Sequence, residues 1–260
     1  MDLGISGRKA IVCASSQGLG LACARALVRE GAEVLINGRD AQKLERARAD
    51  LASEFPDARI GFVAADILSE AGRTALLAGC PDPDILINNN AGPPPGRLED
   101  WDRAAWLHAL EANMIAPLML LRAVVPGMRS RRFGRIVNIT SAMVKSPRYR
   151  MALSSAARTG LTAACKAISL EVAADNVTIN NLLPERIDTP RQAFMAARMM
   201  EEKSITIGEA RAQIALTIAA KRFGTPEEFG AACAFLCSAQ SAFISGQNLQ
   251  LDGGSYAGLV

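Results

Sequence analysis

At 260 residues, half of them apolar, the chain is long enough to bury one large core and short for two domains of ordinary size. A net charge of +3 with no basic tail gives no nucleic-acid footprint, and a single His beside six cysteines without a CxxC pair argues against a zinc site. The amino terminus lacks a charged segment followed by an apolar run, and no apolar stretch reaches about eighteen residues, so the expectation is a cytoplasmic protein with reduced thiols, no secretory signal and no membrane span.

Lys9-Ala10-Ile11-Val12-Cys13-Ala14 is a short apolar run that reads as a buried first strand. It leads into Ser15-Ser16-Gln17-Gly18-Leu19-Gly20 and an amphipathic helix from Leu21 to Glu30. A strand, a glycine turn and a helix bring backbone N–H groups and a helix N-terminus against a pyrophosphate. The same residues also suit an ordinary tight turn. Val34-Leu35-Ile36-Asn37 is a second buried strand, followed by Gly38-Arg39-Asp40. An acid capping this strand would bond a ribose 2′-OH and repel a 2′-phosphate. Gly38 stands there instead, and the Arg39 guanidinium after it suits a phosphate, which favours NADP(H) over NAD(H). The alternative for Arg39 is a solvated loop charge.

A helical pattern covers 41–54, a third strand 60–65 and a short helix 68–78. Asp84-Ile85-Leu86-Ile87 is the fourth strand, ending in Asn88-Asn89-Asn90-Ala91-Gly92 and the stiff loop Pro93-Pro94-Pro95-Gly96. A long helix is expected over 101–129, with His108 exposed or packed on it. A fifth strand at 135–139 ends before Ser141, and a helix ends near Asp175-Asn176. Val177 to Leu183 is the sixth strand. Residues 190–220 are helix-like and rich in Met, Ala and Arg; Met195, Met199 and Met200 either line an apolar pocket or serve packing. Apolar strands alternating with helices indicate an α/β chain with a parallel sheet.

From Leu3 to Gly254 these motifs, in this order, resemble the short-chain dehydrogenase/reductase family, and within it most look like the 3-oxoacyl-carrier-protein reductase group. The resemblance implies a single-domain Rossmann-type fold: a doubly wound, seven-stranded parallel sheet with helices on both faces. It further implies a variable substrate lid at about 188–221 and a homotetramer or homodimer. Residues 13–20 stand at the family's TGxxxGxG turn and keep its Gly18 and Gly20, which places Ala14, Ser16, Gln17, Gly18, Leu19 and Gly20 at the cofactor. Asp66 would meet the adenine amino group and Ile67 would lie under the ring. The family's NNAG fits in two registers: Asn89 to Gly92 matches it residue for residue, while Asn88 to Ala91, the register favoured, brings Asn88, Asn90 and Ala91 to the cofactor and leaves Trp106 and Asn113 at their usual offsets without an insertion. Asn113 would hold a water wired to the catalytic base. Pro184 and Ile187 would face the nicotinamide carboxamide, and Thr189 the phosphates.

Ser141 matches the family's carbonyl-orienting Ser. The family's Tyr falls on Ser154 and its Lys on Arg158, which keeps the frame and replaces two chemical groups. Cys13, Ala14 and Glu185 are further departures, at the family's Thr, Gly and Gly. Ser154 offers a hydroxyl that is shorter and less acidic than a phenol. Arg158 would grip the ribose and supply charge, but relays no proton easily. Tyr149 and Glu185 are other candidate acids. Three functions stay open: an NADP(H)-dependent oxidoreductase on a carbonyl or hydroxyl substrate, a non-catalytic dinucleotide-binding partner, and a non-redox lyase or dehydratase.

Overall fold

The apolar runs become strands because helices cover them on both sides. The computed structural model describes residues 2–259. Strands β1 (Lys9–Val12), β2 (Glu33–Gly38), β3 (Ile60–Ala64), β4 (Ile85–Asn88), β5 (Gly134–Ile139), β6 (Val177–Pro184) and β7 (Asn248–Leu251) form one sheet. Their order is β3-β2-β1-β4-β5-β6-β7, and neighbouring strands are parallel. The connecting helices are α1 (Gly18–Arg29), α2 (Ala41–Glu54), α3 (Glu70–Gly79), α4 (Arg103–Leu110), α5 (Ala116–Ser130), α6 (Ala152–Val172), α7 (Pro190–Lys203), α8 (Ile207–Leu216) and α9 (Pro226–Cys237).

Alternation along each strand divides the core. Ala10 and Val12 face a cluster with Leu27, Leu44 and Phe229, while Ile11 faces Leu120, Leu161 and Leu76 on the other side. Each fully buried Leu or Ile contributes roughly 2 kcal/mol. Winding turns outward in both directions from the pair β1 and β4, and the crevice at their carboxyl ends is where such sheets bind ligands.

Two features rigidify that end of the sheet. Asn88, Asn138, Asn181 and Asn248 stand in register on four adjacent strands. Their amides chain together: Asn88 donates to Asn138 (2.9 Å), Asn138 to Asn181 (2.9 Å) and Asn181 to Asn248 (2.8 Å). Amides buried among apolar strands demand such partners, and the ladder locks the strand ends in one register.

The second feature lies between α4 and α5, where Glu111–Ile115 is a π-helical turn. Pro117, in the first turn of α5, has no N–H to give the carbonyl of Asn113 four residues back, so the helix widens there. The long helix expected over 101–129 is therefore two helices around a bulge. Taken together, Arg103–Ser130 is, among the described residues, the one helix long and apolar enough to cross a membrane, but half of its apolar window is buried in the protein. Packing on the sheet accounts for that composition.

In the segment expected to be a lid, α7 and α8 pack on each other through Ala196, Ala210 and Ile214, with Met199, Met200 and Phe223 against them. Those two methionines are packing residues. Cys13, Cys23, Cys80, Cys165, Cys233 and Cys237 are all buried and free.

Candidate active site

The glycine turn sits at the carboxyl end of β1. Ala14, at the family's Gly, keeps a left-handed backbone (φ 44), and Gly18 is left-handed too (φ 62). A Cβ on Gly20 would collide with the Ala14 carbonyl oxygen, so α1 can approach the strand this closely only with glycine there. Ser15 pins the turn sideways: its Oγ donates to the Val12 carbonyl (2.6 Å) and accepts the Asn37 N–H (3.0 Å). Asn89 donates to the Ala14 carbonyl from the β4 side (3.1 Å).

Gln17 precedes α1 without capping it, and no acid lies in the first turn. The first N–H groups of α1 thus lack the side-chain partners most helix starts have, and they suit a diphosphate. Ser16 and Leu19 flank them, half-buried, and Thr189 lies opposite, its Cβ 4.0 Å from where a Cβ on Gly18 would be. The cradle that a side chain would fill is open, and these residues fit a dinucleotide.

At the end of β2, Asp40 is turned away from the crevice. Its carboxylate caps α2, accepting the Gln42 and Lys43 N–H groups. Arg39 is exposed and no carboxylate among the described residues pairs with it. Asp66 is exposed and accepts the Leu68 N–H (3.1 Å). Ile67 corrects an expectation: it is 4 % exposed and packs into the core with Leu35 and Leu76, so only its backbone is left for a ring. Three residues past the end of β3, its apolar body packs into the core rather than the crevice.

The three asparagines at the end of β4 separate by role. Asn88 belongs to the buried ladder, Asn89 braces the glycine turn, and Asn90 donates to the Ala112 carbonyl (3.1 Å). Ala91 is exposed, and its carbonyl accepts from Asn113 (3.3 Å). Asn113 sits in the π turn, 3 % exposed, with its Oδ1 buried and unpartnered. An orphaned buried acceptor beside the crevice suits a donor brought by water or ligand.

Ser141 follows β5 and caps a 3₁₀ turn (Ala142–Val144), its Oγ accepting the Met143 N–H (3.2 Å) while its own proton stays available for an acceptor. Ser154 and Arg158 lie one turn apart on α6, 5 % and 8 % exposed. Gly92 lies over both: a Cβ there would be 3.4 Å from Arg158 Nη2 and 3.8 Å from Ser154 Oγ.

Arg158 differs from its expected role. Its Nη1 donates to the carbonyls of Ile139 (2.7 Å) and Thr140 (3.0 Å), and its Nη2 to that of Asn90 (3.2 Å). Three donors are committed to bolting the ends of β4 and β5 to α6, which leaves Nε and one Nη2 hydrogen for anything else. The guanidinium is longer than a Lys side chain reaches, and it spans to the strand ends instead of stopping short of them. Burial, and then the Arg191 cation, pull its pKa down to about 10, so it is still charged at neutral pH.

The other two candidate acids are also accounted for. Tyr149 is 78 % exposed, with Arg150 over its ring, and does not fold back over the site. Glu185 is ion-paired with Arg148 and is not a free acid. Pro184 ends β6, Ile187 is buried and bridges to Gly224, and Thr189 opens α7. Arg148, Arg186 and Arg191 around the crevice were not singled out by the sequence, where isolated arginines in loops look like solvated charges. Among the described residues no group of three or more His, Cys, Asp or Glu is placed to hold a metal. A hollow of about 520 Å³ at the opposite end of the sheet, lined by Glu33, Phe55, Pro56 and Arg59 among others, shares no residue with the crevice.

Comparison with known proteins gives the family. The family profile described as Enoyl-(Acyl carrier protein) reductase matches residues 13–256. NADPH-dependent reductase BacG of Bacillus subtilis is 31% identical over 255 residues, 96% of this chain and 98% of that protein. Dehydrogenase/reductase SDR family member 4 of Bos taurus is 32% identical over 264 residues, 98% of this chain and 89% of its own. The crystal structure of L-sorbose reductase from Gluconobacter frateurii, complexed with NADPH and L-sorbose, superposes with a TM-score of 0.94 at 29% identity, covering 100% of both chains. With the crevice, the glycine turn and the Ser141 frame all in place, the chain belongs to the short-chain dehydrogenase/reductase family of oxidoreductases.

Proposed function

We propose that the protein is an NADP(H)-dependent oxidoreductase on a carbonyl or hydroxyl substrate of the 3-oxoacyl kind, working with a modified centre. The observation that carries this reading is the exposed, acid-free Arg39 beside an uncapped α1 N-terminus and the half-buried Ser16. A 2′-phosphate would find a guanidinium there and no carboxylate to repel it. BacG and L-sorbose reductase, by their names, use NADPH, which supports the same choice. Ala14, Gln17, Gly18, Leu19 and Gly20 would hold the diphosphate, and Asp66, Asn90, Ala91, Pro184, Ile187 and Thr189 the rest of the cofactor.

NADPH, when bound, supplies the hydride. Ser141 orients the substrate oxygen through its free proton, and Ser154 offers a second hydroxyl. Ser154 is too weak an acid to replace a phenol, so the growing negative charge on that oxygen is met by the field of Arg158, a cation fixed by three carbonyls in a dry setting. A proton then arrives from water, with Asn113 Oδ1 holding one such water. Loss of a positioned general acid costs about 10²–10⁴-fold, which this field offsets in part.

The second reading, a non-catalytic dinucleotide-binding partner, is favoured by the lid that Gly92 makes over Ser154 and Arg158. A homotetramer or homodimer belongs to either reading, supported by the exposed Leu107, Leu170 and Phe243. Titration with NADPH and NADH, followed by nicotinamide fluorescence, tests the proposal. Tight NADPH binding that Arg39→Glu reverses toward NADH is the expected result. Binding of neither cofactor at near-millimolar concentration would remove the oxidoreductase reading.

A further inference from the structure

Four arginines from four different elements converge on the crevice between the Ser141 loop and α7. Arg148 comes from the loop after Ser141, Arg158 from α6, Arg186 from the turn after β6 and Arg191 from the first turn of α7. Burial, and then Arg148, lower the Arg186 pKa, with Glu185 pulling it partly back, and Arg191 acts on Arg158 as Arg148 does on Arg186, so these cations feel one another. The acids nearby do not balance them. Glu185 is taken by Arg148, and Asp188 is turned to Arg211 (2.7 Å). Among the described residues, no carboxylate is within ion-pair distance of Arg158, Arg186 or Arg191.

Arg186 is the member with hydrogen bonds to spare. Its backbone is left-handed (φ 57) and is held there by the Gly224 N–H bonding its carbonyl (3.1 Å). Its Nη1 makes one long bond, 3.4 Å, to Oε1 of Gln192, a neutral amide on α7. Its Nε is buried without any acceptor. An unpaired guanidinium donor out of water is costly, and the Nε–Nη2 edge is the one that takes a carboxylate through two parallel bonds. A charged acceptor also outcompetes the weakly held Gln192.

The arginines divide by position. Arg191, in the first turn of α7, lies toward Arg158, whose pKa it lowers. Arg186 lies instead between Gln192 of α7 and the Glu185–Arg148 pair on the Ser141 loop, which is the substrate side.

We propose that Arg186, with Arg148 on the facing wall, is a specificity-determining site for a carboxylate on the substrate, so that the compound reduced here is an oxo acid rather than a neutral ketone. This rests on the oxidoreductase reading above and narrows its carbonyl substrate to a free acid in place of a 3-oxoacyl thioester. The test compares acetoacetate with methyl acetoacetate, and 2-oxobutyrate with methyl 2-oxobutyrate, by NADPH consumption. Each pair differs in charge and little else. At least one acid should surpass its ester by about 10-fold in kcat/KM, the size of one charge-assisted hydrogen bond. Arg186→Gln should raise KM for that acid about 30-fold, with the ester moved less than about 3-fold, and Arg186→Lys should recover part of the loss. Arg148→Gln, a second variant should the first not fold, should raise the same KM about 5-fold.

Acid and ester with equal KM, or the ester preferred, would overturn the proposal. So would an Arg186→Gln variant whose affinity for NADPH falls as much as its affinity for the acid, since the guanidinium would then serve the cofactor. Should neither pair turn over, calorimetry separates the two readings. Heat of acetoacetate binding that Arg186→Gln abolishes keeps the carboxylate site while the redox reading falls; no heat from either acid removes the site itself.

Discussion

The two halves of the crevice have departed from the family pattern in different ways, and they tolerate departure differently. At the glycine turn, Cys13 and Ala14 replace the family's Thr and Gly, yet the path of the backbone is kept: Ala14 adopts φ 44, and Ser15 and Asn89 brace it from either side. That half works through backbone N–H groups, so a changed side chain alters little while the main chain holds its course. At Ser154 and Arg158 the replaced groups are the ones that would do the chemistry, and the surroundings have closed around the replacements. Arg158 has become a bolt between β4, β5 and α6, and Gly92 covers it. A site built from backbone survives substitution, whereas a site built from side chains is rebuilt by it.

The sharpest way to break this contrast is Gly20→Ala, which leaves every cofactor-facing side chain in place. Its Cβ would meet the Ala14 carbonyl, pushing α1 off the strand, and affinity for NADPH should fall by more than about 100-fold in a fluorescence titration. If affinity were kept, the turn would not be a backbone site. Next in size is Arg158→Met, which leaves the Ile139, Thr140 and Asn90 carbonyls without a donor. Urea unfolding should show a loss of about 3 kcal/mol. A small loss would mean that the bolt is not structural.

Ser154→Tyr sharpens the comparison from the other direction, since it restores the family residue. Ser154 is 5 % exposed, so a phenol there must push its neighbours aside, and overpacking should cost about 2 kcal/mol by the same assay. Recovery of activity without that cost would show that the 91–92 loop opens readily. The smallest effect is Ala14→Gly, which relieves a left-handed alanine and should stabilise by about 1 kcal/mol in thermal unfolding.

Much of the molecule was legible before any coordinates. Six of the seven strands fall where apolar runs are bounded by turn residues, β7 being expected only from the family resemblance, and α2 matches its expected span of 41–54, with Asp40 capping it. The long helix over 101–129 was legible as apolar but not as bulged, since the π turn follows from the missing N–H of Pro117 and not from periodicity. Ile67 was assigned to the crevice by analogy of position. Its side chain went to the core because burial of an Ile outweighs a place under a ring that water also reaches.

Taken alone, the sequence determined the order of elements and the parallel sheet, because apolar periodicity is local along the chain, and the family resemblance added the frame Ser141, Ser154, Arg158. Tertiary structure decided which donors those residues have left. The amide ladder from Asn88 to Asn248, the three carbonyls that occupy Arg158 and the arginines gathered around Arg186 join residues far apart in the chain. Hydrogen-bond capacity is used up by neighbours in space, and only the fold says who those neighbours are.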